Sequence, residues 1–355
     1  MSLPFKSHIA GLPVYQTPVP PAGVQNVVDM SSNENPLGPS PKAVQALYSA
    51  MGTVHRYPDA SSAALKTVLA AKWDVSPANV ALANGADEFV LLLCLSLVEP
   101  GDEIIMAHGS FISYLLRATE VGARVVRVPL KAYTHDLEAM AQAITDRTRL
   151  VFVCNPNNPT GTVIPTRAFE TFLDEVPANV PVVVDEAYGE YSDRSFLPRV
   201  EEFDNLIVTR TFSKAYGLAG MRVGYMASNL KMAGIMQRIK IPYSLNQVSE
   251  RAAMAALKNT TYVDMAVDLV KKERERLSQG LESLGFKTYP SQSNFILFKS
   301  PHPSGELVKR LADKGVLVRN FGGLRMLENC LRTTIGTREL NDMLLSKLGE
   351  VMKEW

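Results

Sequence analysis

The sequence predicts an α/β fold in two units, a large one with a mostly parallel sheet between helices and a smaller α/β unit at the C-terminal end. Three observations carry this. Short apolar runs alternate with helical stretches from residue 79 to residue 227, the pattern of parallel strands covered on both faces. From about residue 228 helical segments dominate, and 261–284 has the charge pattern of a long exposed helix. A length of 355 residues exceeds the usual single domain, so about two are expected. The division this predicts is an N-terminal arm over 1–28, a large unit over 29–245 and a small C-terminal unit over 246–355.

In order, the arm carries Pro4, Pro13, Pro18, Pro20 and Pro21 with little periodicity, and reads as an extended segment lying on something else. Ser32-Asn-Glu-Asn-Pro-Leu-Gly is a turn cluster, followed by a helix over 41–51 that opens on proline and a longer helix over 60–73. Strand-like runs then fall at 79–83, 103–107, 124–128, 149–154, 180–184, 205–209 and 222–227. Between most of them lie helical stretches at 87–98, 111–121, 136–144 and 165–176. Helices at 230–240, 246–258 and 261–284 lead to a strand at 294–298 and a helix at 304–314. Strands at 316–319 and 331–335 and a terminal helix from Arg338 finish the chain, which shows no internal repeat and no low-complexity segment.

Composition excludes several classes of function. A net charge of +1 offers nothing to nucleic acid or to a membrane surface. The longest apolar run, 89–98, is too short to span a bilayer and reads as a core helix. Cys94, Cys154 and Cys330 are odd in number, far apart and without metal-ligand spacing, as expected of reduced, buried thiols; no metal site is expected. The N-terminus lacks a charged start followed by an apolar core, so no signal peptide is expected and the location expected is the cytoplasm.

The chemistry lies at strand ends, where an α/β sheet exposes ligand-binding groups. An apolar strand runs into Thr211 and Ser213, then Lys214, a loop with Gly217 and Gly220, and Arg222. Hydroxyls and an arginine suit a phosphate, and a sheltered lysine suits Schiff-base chemistry because burial favours the neutral amine. Alone, the same string also fits a surface lysine before a glycine-rich turn. Asn84-Gly85-Ala86-Asp87-Glu88 stands between a strand and an apolar helix, either an anion site on free amides or ordinary capping by Asp87 and Glu88. Cys154-Asn-Pro-Asn-Asn-Pro-Thr-Gly places an amide such as Asn158 over the sheet edge. Val182-Val-Val-Asp-Glu-Ala-Tyr delivers Asp185 from a buried strand, with Tyr188 just beyond. A carboxylate there is costly without a cationic partner, unless it serves as a helix cap.

Taken in this order, the strings resemble the fold-type I aminotransferases, which use pyridoxal 5′-phosphate, over nearly the whole chain. The nearest branch is similar to the histidinol-phosphate and aromatic aminotransferases, on Asn-Glu-Asn-Pro-Leu-Gly-Pro, Arg-Tyr-Pro-Asp at 56–59, Asn-Pro-Asn-Asn-Pro-Thr-Gly and Thr-Phe-Ser-Lys-Ala-Tyr-Gly-Leu-Ala-Gly. The resemblance implies that Lys214 carries the Schiff base and shuttles the proton, and that Asp185 pairs with the pyridinium nitrogen. Asn158 and Tyr188 would bond the phenolic oxygen. The phosphate would be held by the backbone at Gly85, Ala86 and Asp87, by Thr211, Ser213 and Arg222, and by Tyr57 from the partner of a homodimer. Phe111 would stack on the ring, although Gly109-Ser110 stands where most relatives have Pro-Thr.

For the substrate, the resemblance implies Arg332, Arg319, Tyr15 and Asn294. The partners implied are an amino donor and a 2-oxo acid acceptor, in ping-pong transfer. Histidinol phosphate with 2-oxoglutarate is the first expectation, aromatic amino acids such as phenylalanine the second, and a threonine-phosphate decarboxylase-like enzyme the third. Two departures bear on the choice. After Tyr15 the chain reads Gln-Thr-Pro-Val-Pro-Pro rather than a basic Pro-Gly-Lys, and Asn320-Phe-Gly-Gly resembles the Arg-Pro-Tyr-Gly of aromatic-preferring relatives.

Overall fold

The computed structural model describes residues 5–355, so Pro4 of the expected arm lies outside the described residues. The rest of the arm is not wholly extended. A short helix, α1 (Ser7–Ala10), packs beside Ile112–Glu120, with the Lys6 carbonyl accepting the amides of Ile9 and Ala10. One turn is too short for hydrophobic periodicity to reveal. β1 (Val28–Asp29) follows, then α2 (Pro41–Met51), which starts where Ser40 Oγ accepts the Ala43 amide and proline takes the first position. α3 (Ala63–Trp73) begins later than the sequence predicts, because the Asp59 carboxylate takes the Ser61 and Ala63 amides and Ser62 turns left-handed at φ 49°.

The expected alternation then appears as β2 (Val80–Ala83), α4 (Ala86–Leu97), β3 (Glu103–His108), α5 (Ile112–Glu120), β4 (Arg124–Pro129), α6 (Leu137–Gln142), β5 (Thr148–Cys154), α7 (Thr166–Glu175), β6 (Val182–Asp185), β7 (Leu206–Thr211) and β8 (Gly224–Ser228). These strands form a seven-stranded sheet in the order β2-β8-β7-β6-β5-β3-β4, parallel except for β8. Alternate residues feed two cores. Val151, Val153, Val182, Val184 and Val208 face one, and Leu150, Phe152, Val183 and Ile207 the other. Burial on both faces explains why these strands read as continuous apolar runs.

α8 (Leu230–Ile239), α9 (Gln247–Leu257) and the 24-residue α10 (Thr260–Ser283) lead to β9 (Lys287–Thr288), β10 (Phe295–Lys299), α11 (Ser304–Asp313), β11 (Val316–Leu317), β12 (Arg319–Asn320), β13 (Cys330–Thr334) and α12 (Arg338–Met352). A second, antiparallel sheet runs β12-β13-β10-β9. The single strand expected over 316–319 is divided. Val316 and Leu317 pair in parallel with β1, whereas Arg319 and Asn320 pair with β13. A third core under this sheet gathers Val270, Leu277, Phe298, Leu307 and Leu344, and also takes Met30, Tyr188 and Ala215 from the neighbourhood of the larger sheet. Among the described residues no helix is long and apolar enough to cross a membrane.

Candidate active site

The C-terminal ends of β5, β6 and β7, the start of α4, and β12 and β13 of the second sheet open on one cavity of about 950 Å³. Lys214 lies just past β7. Its Nζ donates to the Ser32 carbonyl at 2.9 Å and sits 5.8 Å from the Tyr188 ring centroid. Burial, with Arg332 close by, lowers the amine to about 8, so a substantial fraction is neutral at ordinary pH.

Asp185 ends β6 and is 6% exposed. Tyr114 Oη donates to its Oδ2 at 2.6 Å and the Ala187 amide to its Oδ1 at 3.0 Å. Burial raises its pKa, and the Tyr114 bond opposes that rise. Among the described residues no cationic side chain pairs with it, so the carboxylate faces the cavity ready for a positively charged N–H. Tyr188 Oη accepts from Asn33 Nδ2 at 2.9 Å and Asn158 Nδ2 at 3.4 Å, and burial raises the phenol to about 12.

The anion cradle is made by close backbone approach. α4 starts at Ala86 with Gly85 before it in the left-handed region (φ 87°), and no side chain caps the helix. That leaves the first amides of α4 turned to the cavity. A Cβ on Gly224 of β8 would stand 2.2 Å from the Ala86 backbone nitrogen, which requires glycine there, whereas at Gly85 it is the left-handed φ that favours glycine. Arg222 Nη1 donates to Ser213 Oγ at 3.3 Å, and Thr211 Oγ1 to the same oxygen at 2.9 Å. Asp87 turns aside to Ser113 Oγ and Arg117. Glu88 reaches back to the Asn84 amide, so capping and cradle coexist at this turn.

Arg319 and Arg332 face each other directly across the β12–β13 ladder. Arg332, 6% exposed, donates to Asn158 Oδ1 and to the Ser31 carbonyl, and its Nε has no partner among the described residues. Its guanidinium lies 5.4 Å from the Phe321 ring centroid and is lowered to about 10, chiefly by burial, with Arg319 adding to the effect. Arg319 Nη1 donates to the Gln16 carbonyl at 2.8 Å, and its guanidinium lies 5.3 Å from the Tyr15 ring, so the arm lands on this arginine.

The cavity thus brings together Tyr15, Ala86, Asp87, Phe111, Asn158, Asp185, Tyr188, Thr211, Ser213, Lys214, Arg222, Arg319 and Arg332. Three expected residues are not in its wall, Gly85 among them, which stands just before the first residue of α4. Asn294 is fully buried one layer behind, donating to the Asn33 carbonyl at 2.9 Å. Tyr57 is 82% exposed and stacks on Tyr243 at 4.7 Å, outside the cavity of its own chain.

Sequence reasoning gave no role to Tyr114 or Asn33, and did not anticipate the Ser32 carbonyl as a partner of the lysine. Tyr114 lies one helical turn from Phe111, a spacing that puts both on one face, which is the only local sign of it.

Comparison with known proteins agrees with this geometry. The model of the aminotransferase class I and II family matches residues 25–348. Histidinol-phosphate aminotransferase of Moorella thermoacetica is 41% identical over 355 residues, covering 99% of this chain and 92% of its own. Histidinol-phosphate aminotransferase 2 of Hydrogenovibrio crunogenus is 39% identical over 355 residues, with 97% and 95% covered. The crystal structure of histidinol-phosphate aminotransferase from Sinorhizobium meliloti in complex with pyridoxal 5′-phosphate aligns at TM-score 0.93 and 29% identity, over 100% of this chain and 99% of that one. A lysine at the end of β7, a buried carboxylate at the end of β6 and an anion cradle at α4 therefore stand in a chain that belongs to the class I and II aminotransferases.

Proposed function

We propose that this chain transfers an amine between histidinol phosphate and 2-oxoglutarate, with pyridoxal 5′-phosphate as cofactor. The carrying observation is the cross-strand pair Arg319–Arg332 at one end of the cavity. Like charges directly opposite on a ladder repel, and burial disfavours the charge of Arg332 further. A carboxylate needs one guanidinium. Two of them, with a phenol from the arm, suit the dianion of a phosphate ester.

The residues present fit the cofactor. Asp185 offers a buried carboxylate with no paired cation among the described residues, and the start of α4 with Thr211, Ser213 and Arg222 offers an anion cradle. Asn158 and Tyr188 would hold its phenolic oxygen, and Phe111 would cover its ring. When bound, pyridoxal phosphate supplies an aldehyde for the amine and a ring that accepts electrons from the substrate's Cα. Tyr114 and the Ala187 amide donate to Asp185 and so favour its charged form against the rise that burial causes. Lys214 Nζ, neutral in a substantial fraction because its pKa is about 8, is the base that takes the Cα proton and returns it. Arg319 and Arg332 anchor the phosphate so that Cα lies beside Nζ.

A second reading, transfer from aromatic amino acids, draws on Phe321, Leu324, Ile112 and Leu116, which give the same cavity an apolar wall. We propose further that the chain works in the cytoplasm as a homodimer. Tyr48, Met51, Val54, Tyr57 and Ile241 are exposed, a surface suited to a second copy whose cradle Tyr57 would complete. The arm, large unit and small unit divide at about residues 28 and 245 in this reading.

The test is steady-state turnover with 2-oxoglutarate, comparing histidinol phosphate and phenylalanine. We expect kcat/KM to favour histidinol phosphate by more than about a hundredfold, roughly 2.7 kcal/mol, and Lys214→Ala to abolish turnover. Preference for phenylalanine establishes the second reading instead. Silence with both, while the cofactor is bound and carbon dioxide is released from threonine phosphate, overturns transamination altogether.

A further inference from the structure

Three carboxylates line the cavity: Glu34, Asp87 and Asp185. Asp87 is engaged by Ser113 and Arg117, and Asp185 by Tyr114 and the Ala187 amide. Glu34 has no hydrogen-bond or ion-pair partner among the described residues, and it is exposed. Its backbone, by contrast, is fixed on both sides. Asn33, 1% exposed, donates its backbone amide to Thr334 Oγ1 at 2.9 Å and its Nδ2 to Tyr188 Oη at 2.9 Å, and its carbonyl accepts from Asn294 Nδ2 at 2.9 Å. Asn35, 8% exposed, donates Nδ2 to the Ala215 carbonyl at 2.9 Å and accepts the Leu37 amide at 2.9 Å. A free carboxylate on a tethered backbone, in the wall of a substrate cavity, is preorganised to receive a donor.

The other charged groups of the cavity already have tasks in the proposed reaction. The guanidiniums take the phosphate, Lys214 takes the amine-bearing carbon, and the wall at Phe321 and Leu324 is apolar. Histidinol phosphate carries a further polar group, its imidazole, and the N–H of that ring is a donor with which a carboxylate can pair. We propose that Glu34 is a specificity residue whose carboxylate accepts that imidazole N–H, selecting a heteroaromatic donor over a phenyl ring. The proposal rests on the substrate reading given above. A phenyl group offers no donor, and its approach strips water from the carboxylate without return. A site built to hydrogen-bond a donor rejects the analogue that lacks it far more strongly than an apolar pocket rejects a small change of shape.

The experiment compares the wild-type holoenzyme with Glu34→Ala and Glu34→Gln, using histidinol phosphate and its phenyl counterpart, phenylalaninol phosphate, with 2-oxoglutarate as acceptor. Both carry the same phosphate and amine, so only the ring differs. Calorimetric dissociation constants of the two ligands on the borohydride-reduced holoenzyme, which cannot turn over, give a second readout. We expect Glu34→Ala to lose about tenfold to a hundredfold in kcat/KM and in affinity for histidinol phosphate, with less than about threefold change for phenylalaninol phosphate. Glu34→Gln keeps an acceptor oxygen and should fall between. Equal losses for both ligands, or none for either, overturn the proposal, the first by showing a structural role and the second by showing no contact. Wild-type enzyme that fails to turn over histidinol phosphate overturns the substrate reading itself, an outcome read before any variant is made.

Discussion

Replacing Tyr114 with phenylalanine removes one oxygen and little else. The ring lies 4.6 Å from Phe152 at an interplanar angle of 1° and meets Phe111 edge-on at 5.6 Å, and these contacts survive the change. What is lost is the 2.6 Å bond to Asp185 Oδ2, while the Ala187 amide still donates to Oδ1. A hydrogen bond to a charged group contributes about 1.5–3 kcal/mol, which corresponds to a rise of roughly 1–2 units in the carboxyl pKa. Burial already holds that pKa above its ordinary value, so the variant carries it further in the same direction.

The signs follow from that direction. A raised carboxyl pKa means the charge is lost earlier as pH falls, so the acid limb of the kcat/KM profile should move up by about 1–2 units. Cofactor affinity at neutral pH should fall about tenfold or more, read from fluorescence titration of the stripped enzyme. An acid whose pKa is raised by folding costs stability above that pKa and little below it. Tyr114→Phe should therefore lower Tm near pH 7 and approach the wild type in acid. An unmoved acid limb with the same Tm loss at both pH values would show that Tyr114 only packs.

Other perturbations probe other parts of the molecule. Aldehyde labelling of Lys214 in the cofactor-stripped enzyme should rise with pH and reach half its maximum near pH 8, since the amine reacts only when neutral; half-reaction above pH 10 would put it in an ordinary environment. By the same linkage the unfolded chain keeps that proton up to about 10.4, so the stripped fold should gain stability between pH 8 and 10. Gly224→Ala pushes a methyl to 2.2 Å from the Ala86 nitrogen, so cofactor affinity should fall at least tenfold with about 1–3 kcal/mol of stability, measured by titration and denaturant unfolding. Arg210 is 2% exposed and bridges Glu186 and Glu190 at 2.9 and 2.8 Å; Arg210→Ala strands two buried carboxylates and should cost roughly 3–5 kcal/mol, whereas a loss below 1 would mean water reaches them.

The parts of the site that could be read from the sequence share one property. Lys214, Asp185, Thr211, Ser213 and Ala86 each follow an apolar strand closely or start the helix after one, so periodicity alone puts them at the sheet's edge. The facing of Arg319 on Arg332 depends on strand register, and that is settled by β10 and β13 packing over a distant core. Tyr114 reads locally as an apolar helix face, and its hydroxyl acquires meaning only when α5 is laid against the end of β6. β1 and β11 are two residues each and exist because they pair with one another, far apart in the chain, so neither carries a pattern of its own. The split of 316–319 between two sheets is hidden for the same reason.

The turn cluster after the arm joins the two sheets. Its consecutive carbonyls are divided between them: Met30 O accepts the Thr334 amide at 2.7 Å, Ser31 O accepts Arg332, and Ser32 O accepts Lys214 at 2.9 Å. Asn33 then closes the circuit through Thr334 and Tyr188. Arg332 and Lys214, the proposed substrate anchor and base, are therefore hydrogen-bonded to adjacent peptide units. Any displacement of the second sheet on the first must carry this segment with it or break one of those bonds. Lys214 can release Ser32 O cheaply, because its amine is half neutral near pH 8, whereas the buried Arg332 guanidinium cannot release Ser31 O without stranding a charge. The segment is thus anchored on the arginine side and yielding on the lysine side, which in the proposed reaction would leave Lys214 free to turn toward Cα while Arg332 keeps its place.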